Sequence, residues 1–304
     1  MTGLSDRRGP ALRGTLTALV TPFRDDGEVD ERCLGDLVRW QVASGVTGLV
    51  PCGTTGEGAT LSDGEHERVV ATVVEAAEGR VPIVAGCGTN DTRRTVLAAR
   101  RAAAAGADAL LVVTPYYNKP NRSGMLAHYR AVCEAAGRPV VVYNVPGRTG
   151  QNLGAETILR LAELPGVAGV KEASGNLEQI TAVLAGRPDG FAVLSGDDAL
   201  ALPTVALGAD GLISVVSNEA PEETSAMIAA AIAGDLARAR EAHFRLLPLM
   251  RANFLETNPV PVKAAMAILG RASGAVRAPL GPPEQSTVAA VRAAIESVGL
   301  RGAR

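Results

Sequence analysis

The chain has 304 residues, of which 47% are hydrophobic, and a formal net charge of −2. Such a chain can bury a large core, and its charge favours neither nucleic acid nor an anionic membrane surface as a partner. No apolar run reaches the ~20 residues of a membrane helix, and the N-terminus lacks the apolar core of a signal peptide, so we expect a cytoplasmic protein. The four cysteines include no C-x-x-C pair, which predicts neither a zinc site nor a disulfide framework.

Eight short β-branched runs alternate with alanine-rich segments of helical period. The predicted strands cover residues 15–23, 48–53, 81–88, 109–117, 139–146, 167–174, 191–198 and 211–218. Apolar strands that alternate with helices predict a parallel sheet covered by helices, and eight such units favour a closed (β/α)₈ barrel, or TIM barrel. An open doubly wound sheet is disfavoured, because the turn after the first strand, TPFRDDGEVD, lacks the G-x-G-x-x-G pattern.

The last quarter of the chain predicts helices only. We therefore divide the α/β chain into an N-terminal tail (1–13), the barrel (14–219) and a C-terminal helical extension (220–304). Because chemistry in such barrels takes place at the carboxyl ends of the strands, the residues at those ends are the candidates for function.

Lys171 interrupts the apolar run GVAGVKEASGN (166–176) and is one of only three lysines. One interpretation is that its ammonium extends to solvent or pairs with Glu172. The other is that partial desolvation favours the neutral amine, which attacks a ketone and forms a Schiff base. The residues at the other strand ends distinguish between these two interpretations of Lys171.

Two other strand ends offer what the imine chemistry of a 2-keto acid requires. The glycine-flanked turn GTTGEG (53–58) presents backbone N–H groups and hydroxyls to a carboxylate. Tyr116, Tyr117 and Tyr143 are three of the four tyrosines, and all lie at predicted strand ends, where a phenol can transfer protons. Taken singly, these residues also fit an ordinary turn or core packing.

Seven motifs in order resemble the dihydrodipicolinate synthase family, also called the 4-hydroxy-tetrahydrodipicolinate synthases. They are GTTGE (53–57), TPYYNKP (114–120), YNVPGRTG (143–150), GVKEASGN (169–176), LSGDD (194–198), GLISV (211–215) and NPVPVKAA (258–265). The family is one of the pyruvate-dependent class I aldolases, which include N-acetylneuraminate lyase. The resemblance runs from about residue 14 to the C-terminus.

The resemblance implies catalytic roles for four residues. Lys171 would form the Schiff base with pyruvate, and no separate cofactor or metal would be needed. Tyr143 would be the general acid and base, linked to Thr54 and Tyr117 in a proton relay. Because the tyrosine that matches Tyr117 comes from the neighbouring subunit, the resemblance also implies a homotetramer built as a dimer of tight dimers.

The resemblance to this family also implies which residues bind the two substrates. The backbone N–H groups of Thr54 and Thr55 would bind the pyruvate carboxylate, while Gly196 and Ile213 would line the site near the lysine. Arg148 would bind the carboxylate of the second substrate. Since the sugar-acid lyases resemble this turn without the arginine, Arg148 favours L-aspartate 4-semialdehyde over a polyol.

Two alternatives stay open at this point. One is another pyruvate-dependent aldolase or dehydratase of the same barrel, acting on a hydroxylated keto acid or sugar acid. The other is a barrel without catalytic activity that serves as a binding protein, although the four catalytic positions argue against it.

Feedback inhibition by lysine is expected to be weak or absent. The resemblance implies an effector site at which His66, Asn90 and Tyr116 match the family pattern. Where inhibited members have a histidine and a glutamate, this chain has Asp63 and Arg94. An arginine facing the ammonium of the effector would repel it.

Two polar features receive structural interpretations. Asp197 and Asp198 have no third ligand nearby for a metal, so we expect them to cap the next helix. His66, His128 and His243 fall on predicted helices, and we expect them at the surface or at an interface.

Overall fold

Eight parallel strands form a nearly closed barrel in the computed structural model, which describes residues 12–302. The strands are β1 (Gly14–Ala18), β2 (Gly48–Val50), β3 (Val84–Gly86), β4 (Ala109–Val113), β5 (Val140–Asn144), β6 (Val167–Glu172), β7 (Ala192–Ser195) and β8 (Gly211–Ser214). Their order is β2-β1-β8-β7-β6-β5-β4-β3. A parallel bridge between Leu49 and Ile83 connects the two end strands. The predicted TIM barrel is confirmed.

Alternate residues along each strand face the barrel interior or the helices, and both faces are apolar. The interior cluster includes Leu16, Val50, Val84, Leu111, Val141, Tyr143, Leu194 and Ile213. The cluster between strands and helices includes Leu49, Ala85, Leu110, Val112, Val142, Val170 and Val193. This double burial explains why the strands appear as continuous apolar runs in the sequence.

Twelve helices surround and extend the barrel in the described part of the chain. They are α1 (Glu31–Ala43), α2 (Asp63–Ala77), α3 (Thr92–Ala104), α4 (Arg122–Ala136), α5 (Pro146–Thr149), α6 (Ala155–Ala162), α7 (Leu177–Gly186), α8 (Ala201–Ala206), α9 (Pro221–Ile232), α10 (Leu236–Ala252), α11 (Val260–Ile268) and α12 (Gln285–Val298). Local sequence sets several starts. Ser62 and Glu65, for example, form a capping box at the start of α2.

The helices after β8 have a core of their own. α9 packs on β1 and thereby occupies the eighth position of the helical ring, and α10 packs on α9 and α12. Buried residues of this core include Leu212, Met227, Leu246, Leu249 and Ile295. The predicted tail and extension include residues 1–11 and 303–304, which lie outside the described residues.

All eight predicted strands exist, but each was predicted to extend two to five residues too far at its carboxyl end. The excess residues form the turns that follow the strands, and these turns carry the polar motifs. We refer to the carboxyl ends of the strands with these turns as the rim. Within residues 12–302, no helix is long and apolar enough to cross a membrane.

Candidate active site

Lys171 and Glu172 end β6 and point to opposite sides of the sheet, as successive strand residues must. Lys171 is only 5% exposed and belongs to the interior face. Glu172 lies on the helix side, where its carboxylate accepts hydrogen bonds from Asn144 Nδ2 (2.9 Å), Ser174 N (2.7 Å) and Gln179 Nε2 (3.2 Å). Lys171 therefore neither extends into solvent nor pairs with Glu172.

Tyr143 is the immediate neighbour of Lys171. The two residues are register partners on β5 and β6, and Lys171 Nζ lies 4.4 Å from the centroid of the Tyr143 ring. No hydrogen bond or ion pair involves Lys171 Nζ within the described residues. A buried amine beside a phenol, without a carboxylate counter-charge, is an arrangement in which a nucleophile and a proton donor can act on one carbonyl.

Gly196 and Ile213 complete the wall around the lysine. A Cβ atom added to Gly196 would lie 3.1 Å from Lys171 Cε and 2.7 Å from Ala173 Cβ, so a side chain here would displace the lysine. Ile213 on β8 is fully buried in the interior cluster that also contains Tyr143. The structure thus brings Lys171, Tyr143, Gly196 and Ile213 together.

The turn 53–57 follows β2 on the same rim. It is closed by a hydrogen bond from Glu57 N to Thr54 O (3.1 Å). A Cβ atom on Gly56 would lie 2.9 Å from the Leu19 carbonyl oxygen, which requires glycine there. Thr55 is buried and its Oγ1 accepts a hydrogen bond from Asn258 Nδ2 (3.0 Å), whereas Thr54 is half-buried.

Arg148 lies in the short helix α5, directly after β5. Its Nη2 donates to the backbone oxygen of Asn258 (3.1 Å). Asn258 therefore contacts both Thr55 and Arg148, the two groups expected to bind carboxylates. Sequence reasoning did not single out Asn258, because its contact with Thr55 joins residues 203 positions apart.

Tyr117 is placed differently from the other candidates. Its backbone is left-handed, with φ 72°, and the residue is 89% exposed. A non-glycine residue in this region is strained and is often held there for function. Within one chain, Tyr117 is thus not part of the buried group around Lys171, and its role across a subunit interface stays a prediction.

A buried ion pair between Glu57 and Lys263 was not predicted. Lys263, 1% exposed on α11, donates to Glu57 Oε1 and to the backbone oxygen of Ala275 (2.7 Å). Burial lowers the pKa of Lys263 to about 8, while Glu57 acts in the opposite direction. The available signal was a lysine within the apolar segment VPVKAAMAI.

Glu57 and Lys263 are part of a larger network. The backbone N–H of Arg277 donates to Glu57 Oε2 (2.9 Å), and the Arg277 guanidinium pairs with Glu65. Arg277 holds the pKa of Glu65 at about 2. The network connects the turn after β2, helix α2 and the extension.

The three residues of the possible effector site lie on different elements: His66 on α2, Asn90 in the turn after β3 and Tyr116 in the turn after β4. His66 Nε2 lies 2.6 Å from the backbone oxygen of Gly86, and burial lowers the His66 pKa. The backbone oxygen of Asn90 accepts from Asn118 Nδ2 (2.7 Å), and Tyr116 is partly exposed. Asp63 is paired with Arg101 (2.6 Å).

The prediction that the three histidines lie at the surface is wrong, while a place at a subunit interface stays a prediction. His66, His128 and His243 are all buried within the single chain, because each lies on the inward face of its helix. Burial lowers the pKa of His128 to about 4. Within one chain, all three side chains take part in helix packing.

The prediction that the two adjacent aspartates cap α8 is wrong, because Leu200 is the N-cap residue and no side chain caps this helix. Asp197 accepts hydrogen bonds from the N–H groups of Ala199 (2.9 Å) and Leu200 (3.3 Å), just before α8. Asp198 instead accepts from Ser214 Oγ (2.6 Å) and from two N–H groups that follow β8. It connects the ends of β7 and β8. Among residues 12–302, no cluster of three or more histidine, cysteine or acidic side chains could hold a metal ion.

A (β/α)₈ barrel with a buried lysine at the carboxyl end of its sixth strand has the architecture of the class I aldolases, which are lyases that work through an imine. Residues 11–298 match the sequence model of the dihydrodipicolinate synthetase family. The chain belongs to this family.

Individual relatives agree with this assignment. The 4-hydroxy-tetrahydrodipicolinate synthase of Maridesulfovibrio salexigens is 50% identical over 95% of this chain and 99% of the relative. The enzyme of the same name from Koribacter versatilis is 53% identical over 89% of this chain and 91% of the relative. The structure of dihydrodipicolinate synthase from Acinetobacter baumannii in complex with pyruvate superposes with a TM-score of 0.93 at 41% identity, covering 95% of this chain and 99% of that one.

Proposed function

We propose that the protein condenses pyruvate with L-aspartate 4-semialdehyde to give 4-hydroxy-tetrahydrodipicolinate, the step that commits carbon to diaminopimelate and lysine. The observation that carries the proposal is Lys171, a buried amine without a carboxylate partner in the described residues, 4.4 Å from the ring centroid of Tyr143. The names of the relatives and the family membership support the choice of reaction.

The first half of the reaction takes place on pyruvate. The Lys171 amine attacks the ketone carbon, and loss of water gives the imine. Removal of a proton from the methyl carbon converts the imine into an enamine. Tyr143, adjacent to the lysine, transfers these protons, with Thr54 and Tyr117 as its relay. No separate cofactor takes part, because the imine itself is the electron sink.

The second half forms and releases the product. The enamine carbon attacks the aldehyde carbon, which becomes a hydroxyl-bearing carbon. The amino group of the former semialdehyde then attacks the imine carbon and displaces the Lys171 amine. A six-membered ring is released, and the lysine is regenerated.

Two groups on the rim hold the substrates. The N–H groups of Thr54 and Thr55 bind the pyruvate carboxylate, while Gly196 and Ile213 shape the space beside the lysine. Arg148, at the turn after β5, binds the carboxylate of the semialdehyde through its planar guanidinium. A polyol substrate would give Arg148 no such partner.

The functional unit we propose is a homotetramer, a dimer of tight dimers, in the cytoplasm. The support is Tyr117, which is 89% exposed and held in a strained backbone conformation between β4 and α4. In a tight dimer this side chain enters the site of the partner subunit and completes the relay.

The effector site around His66, Asn90 and Tyr116 is proposed to bind lysine weakly. Asp63 is already paired with Arg101, and Arg94 adds a cation to the same helix region. Half-maximal inhibition at submillimolar lysine would contradict this.

The decisive experiment is incubation with pyruvate and sodium borohydride, followed by intact mass measurement. We expect a single reduced pyruvyl adduct, absent from Lys171→Ala. A wild-type protein that is not trapped, or an adduct that survives in Lys171→Ala, would remove the core of the proposal.

The second substrate is tested by a coupled assay. We expect turnover of pyruvate with aspartate semialdehyde, and none of sialic acid or 2-keto-3-deoxygluconate. Turnover of only the latter two compounds would assign the protein to a different aldolase activity.

A further inference from the structure

The turn proposed to bind pyruvate ends at Glu57, whose backbone conformation must be stabilised by other residues. Glu57 directly follows Gly56 and has a left-handed backbone, with φ 50°. Such a conformation costs free energy in a non-glycine residue and persists only where the surroundings hold it. The support comes from the C-terminal extension, because Lys263 Nζ and the N–H of Arg277 both donate to the Glu57 carboxylate.

Lys263 is positioned to hold the Glu57 carboxylate in place. Its ammonium donates to Glu57 and to the backbone oxygen of Ala275, and it lies 4.0 Å from the centroid of the Phe23 ring. Both side chains of the ion pair are nearly inaccessible, at 1% for Lys263 and 2% for Glu57. A buried carboxylate that loses its counter-charge must turn towards water or become protonated.

The same segment of the extension contacts the site at two further points. Asn258, five positions before Lys263, donates to Thr55 Oγ1 (3.0 Å) and accepts from Arg148 Nη2 (3.1 Å). Residues 258–263 therefore contact the turn at both Thr55 and Glu57. The turn is therefore held by the C-terminal extension as well as by the barrel, where Thr21 Oγ1 donates to the backbone oxygen of Gly56 (2.7 Å).

We infer that Lys263 is a positioning residue for the keto-acid site: by holding Glu57 it fixes the orientation of the Thr54 and Thr55 N–H groups. The inference rests on the proposed function, since it concerns the pyruvate-binding turn. Lys263 does not contact the substrate. Its effect falls on pyruvate binding, because hydrogen bonds to a bound carboxylate depend on sub-ångström alignment.

A variant with a matched control tests this inference. Lys263→Met keeps the length of the side chain and removes the charge. Arg187→Met removes a different ion pair, with Asp210, which directly precedes β8 at the opposite end of the barrel from the rim. The readout is the pyruvate concentration that gives half-maximal borohydride trapping, together with the KM for aspartate semialdehyde and the melting temperature.

We expect Lys263→Met to raise the half-saturating pyruvate concentration by roughly tenfold or more, since misalignment of a bound group has effects of that size. The KM for the semialdehyde should stay within about twofold, and Lys263→Arg, which keeps the charge, should restore most of the pyruvate affinity. Arg187→Met should lower the melting temperature without a change in pyruvate half-saturation.

Several results would overturn the inference. An unchanged pyruvate half-saturation in Lys263→Met would do so, as would an equal shift in Arg187→Met, because the effect would then be one of stability alone. If Lys263→Met does not fold, Glu57→Gln is the variant to measure, since it keeps the shape of the side chain without its charge. A half-saturating pyruvate concentration equal to that of the wild type in Glu57→Gln would contradict the inference. A wild-type protein that forms no pyruvyl adduct overturns the proposed function as well, whereas a wild-type adduct with unshifted variants overturns only the role of Lys263.

Discussion

The end of β6 and the start of α11 each place a lysine inside an apolar segment, and the two lysines have opposite surroundings. Lys263 is surrounded by a carboxylate, a carbonyl oxygen and an aromatic ring. Lys171 lies beside the Tyr143 ring, and Lys171 forms no ion pair with any of residues 12–302. Burial alone therefore does not identify a reactive amine. The difference lies in the partners of the amine: Lys263 Nζ is held by Glu57 and Ala275, whereas no hydrogen bond or ion pair to Lys171 Nζ is found in residues 12–302, which leaves this amine available to attack a carbonyl carbon.

The difference has an energetic consequence. Removing one member of a buried pair leaves the other member uncompensated, which destabilises the fold strongly. Removing Lys171 breaks no ion pair found in residues 12–302, and only its contact with the Tyr143 ring is lost. Loss of Lys171 should thus affect mainly turnover and loss of Lys263 mainly stability, and the predictions below test the two sites.

The largest expected effect is on turnover in Lys171→Met. Loss of the nucleophile should lower kcat by about 10³-fold or more. The free energy of unfolding should stay within about 1 kcal/mol of the wild type or rise, because methionine fills the same space without a charge. Steady-state rates and urea unfolding measure both quantities. A strongly destabilised Lys171→Met would mean that the lysine has a structural partner.

Lys263→Met should instead lose much of its stability, and its effect on activity should be confined to the half-saturating pyruvate concentration. Breaking the buried pair with Glu57 should cost about 3–5 kcal/mol of unfolding free energy. The double variant Glu57→Gln with Lys263→Met should recover part of this loss, because no unpaired charge remains. Urea unfolding of the wild type, both single variants and the double variant forms a closed cycle. Additive losses in the double variant would show that the two residues do not interact.

Tyr117→Phe tests how the site around Lys171 is completed. If its hydroxyl acts in the relay of a neighbouring subunit, turnover should fall by about 10²-fold. The melting temperature should not change, since the side chain is 89% exposed in the single chain. Initial rates and sedimentation velocity are the measurements. Wild-type turnover in this variant would exclude Tyr117 from the relay.

The smallest expected effect is the pH dependence that Lys263 contributes to stability. Burial lowers its pKa from 10.5 to about 8. Of the neighbouring charges, Glu57 raises this pKa and Arg277, which is itself paired with Glu65, lowers it. Between these two pH values the unfolded state binds more protons than the native state. The free energy of unfolding should therefore rise with pH by roughly 1 kcal/mol per unit, relative to the double variant. A flat difference between pH 8 and 10 would contradict the lowered pKa.

Much of the fold was predictable because it depends on local patterns. Eight apolar runs with glycine-rich or polar ends specify eight buried parallel strands, and the rim follows from the rule that these ends meet on one side. The strand ends themselves were predicted too far along the chain. Residues such as 51–53 continue the apolar pattern, but the backbone turns there because Cys52 adopts a positive φ of 56°.

The parts of the site that were missed depend on contacts distant in sequence. Glu57 and Lys263 are 206 residues apart, and Asn258 reaches Thr55 across 203 residues. No local pattern records such a pair. The role of Asp198 was missed for the same reason, since its partners follow β8. The histidines appeared to be surface residues because helical period does not reveal which face of a helix contacts the barrel.

The most direct test of the central claim locates the pyruvyl adduct among the three lysines of the chain. After trapping with borohydride, the protein is digested and the modified peptide is sequenced by mass spectrometry. We predict modification of the peptide that contains Lys171, with Lys119 and Lys263 unmodified even at saturating pyruvate. Modification of Lys263, or equal modification of all three lysines, would contradict the claim that the unpaired buried amine is the reactive one.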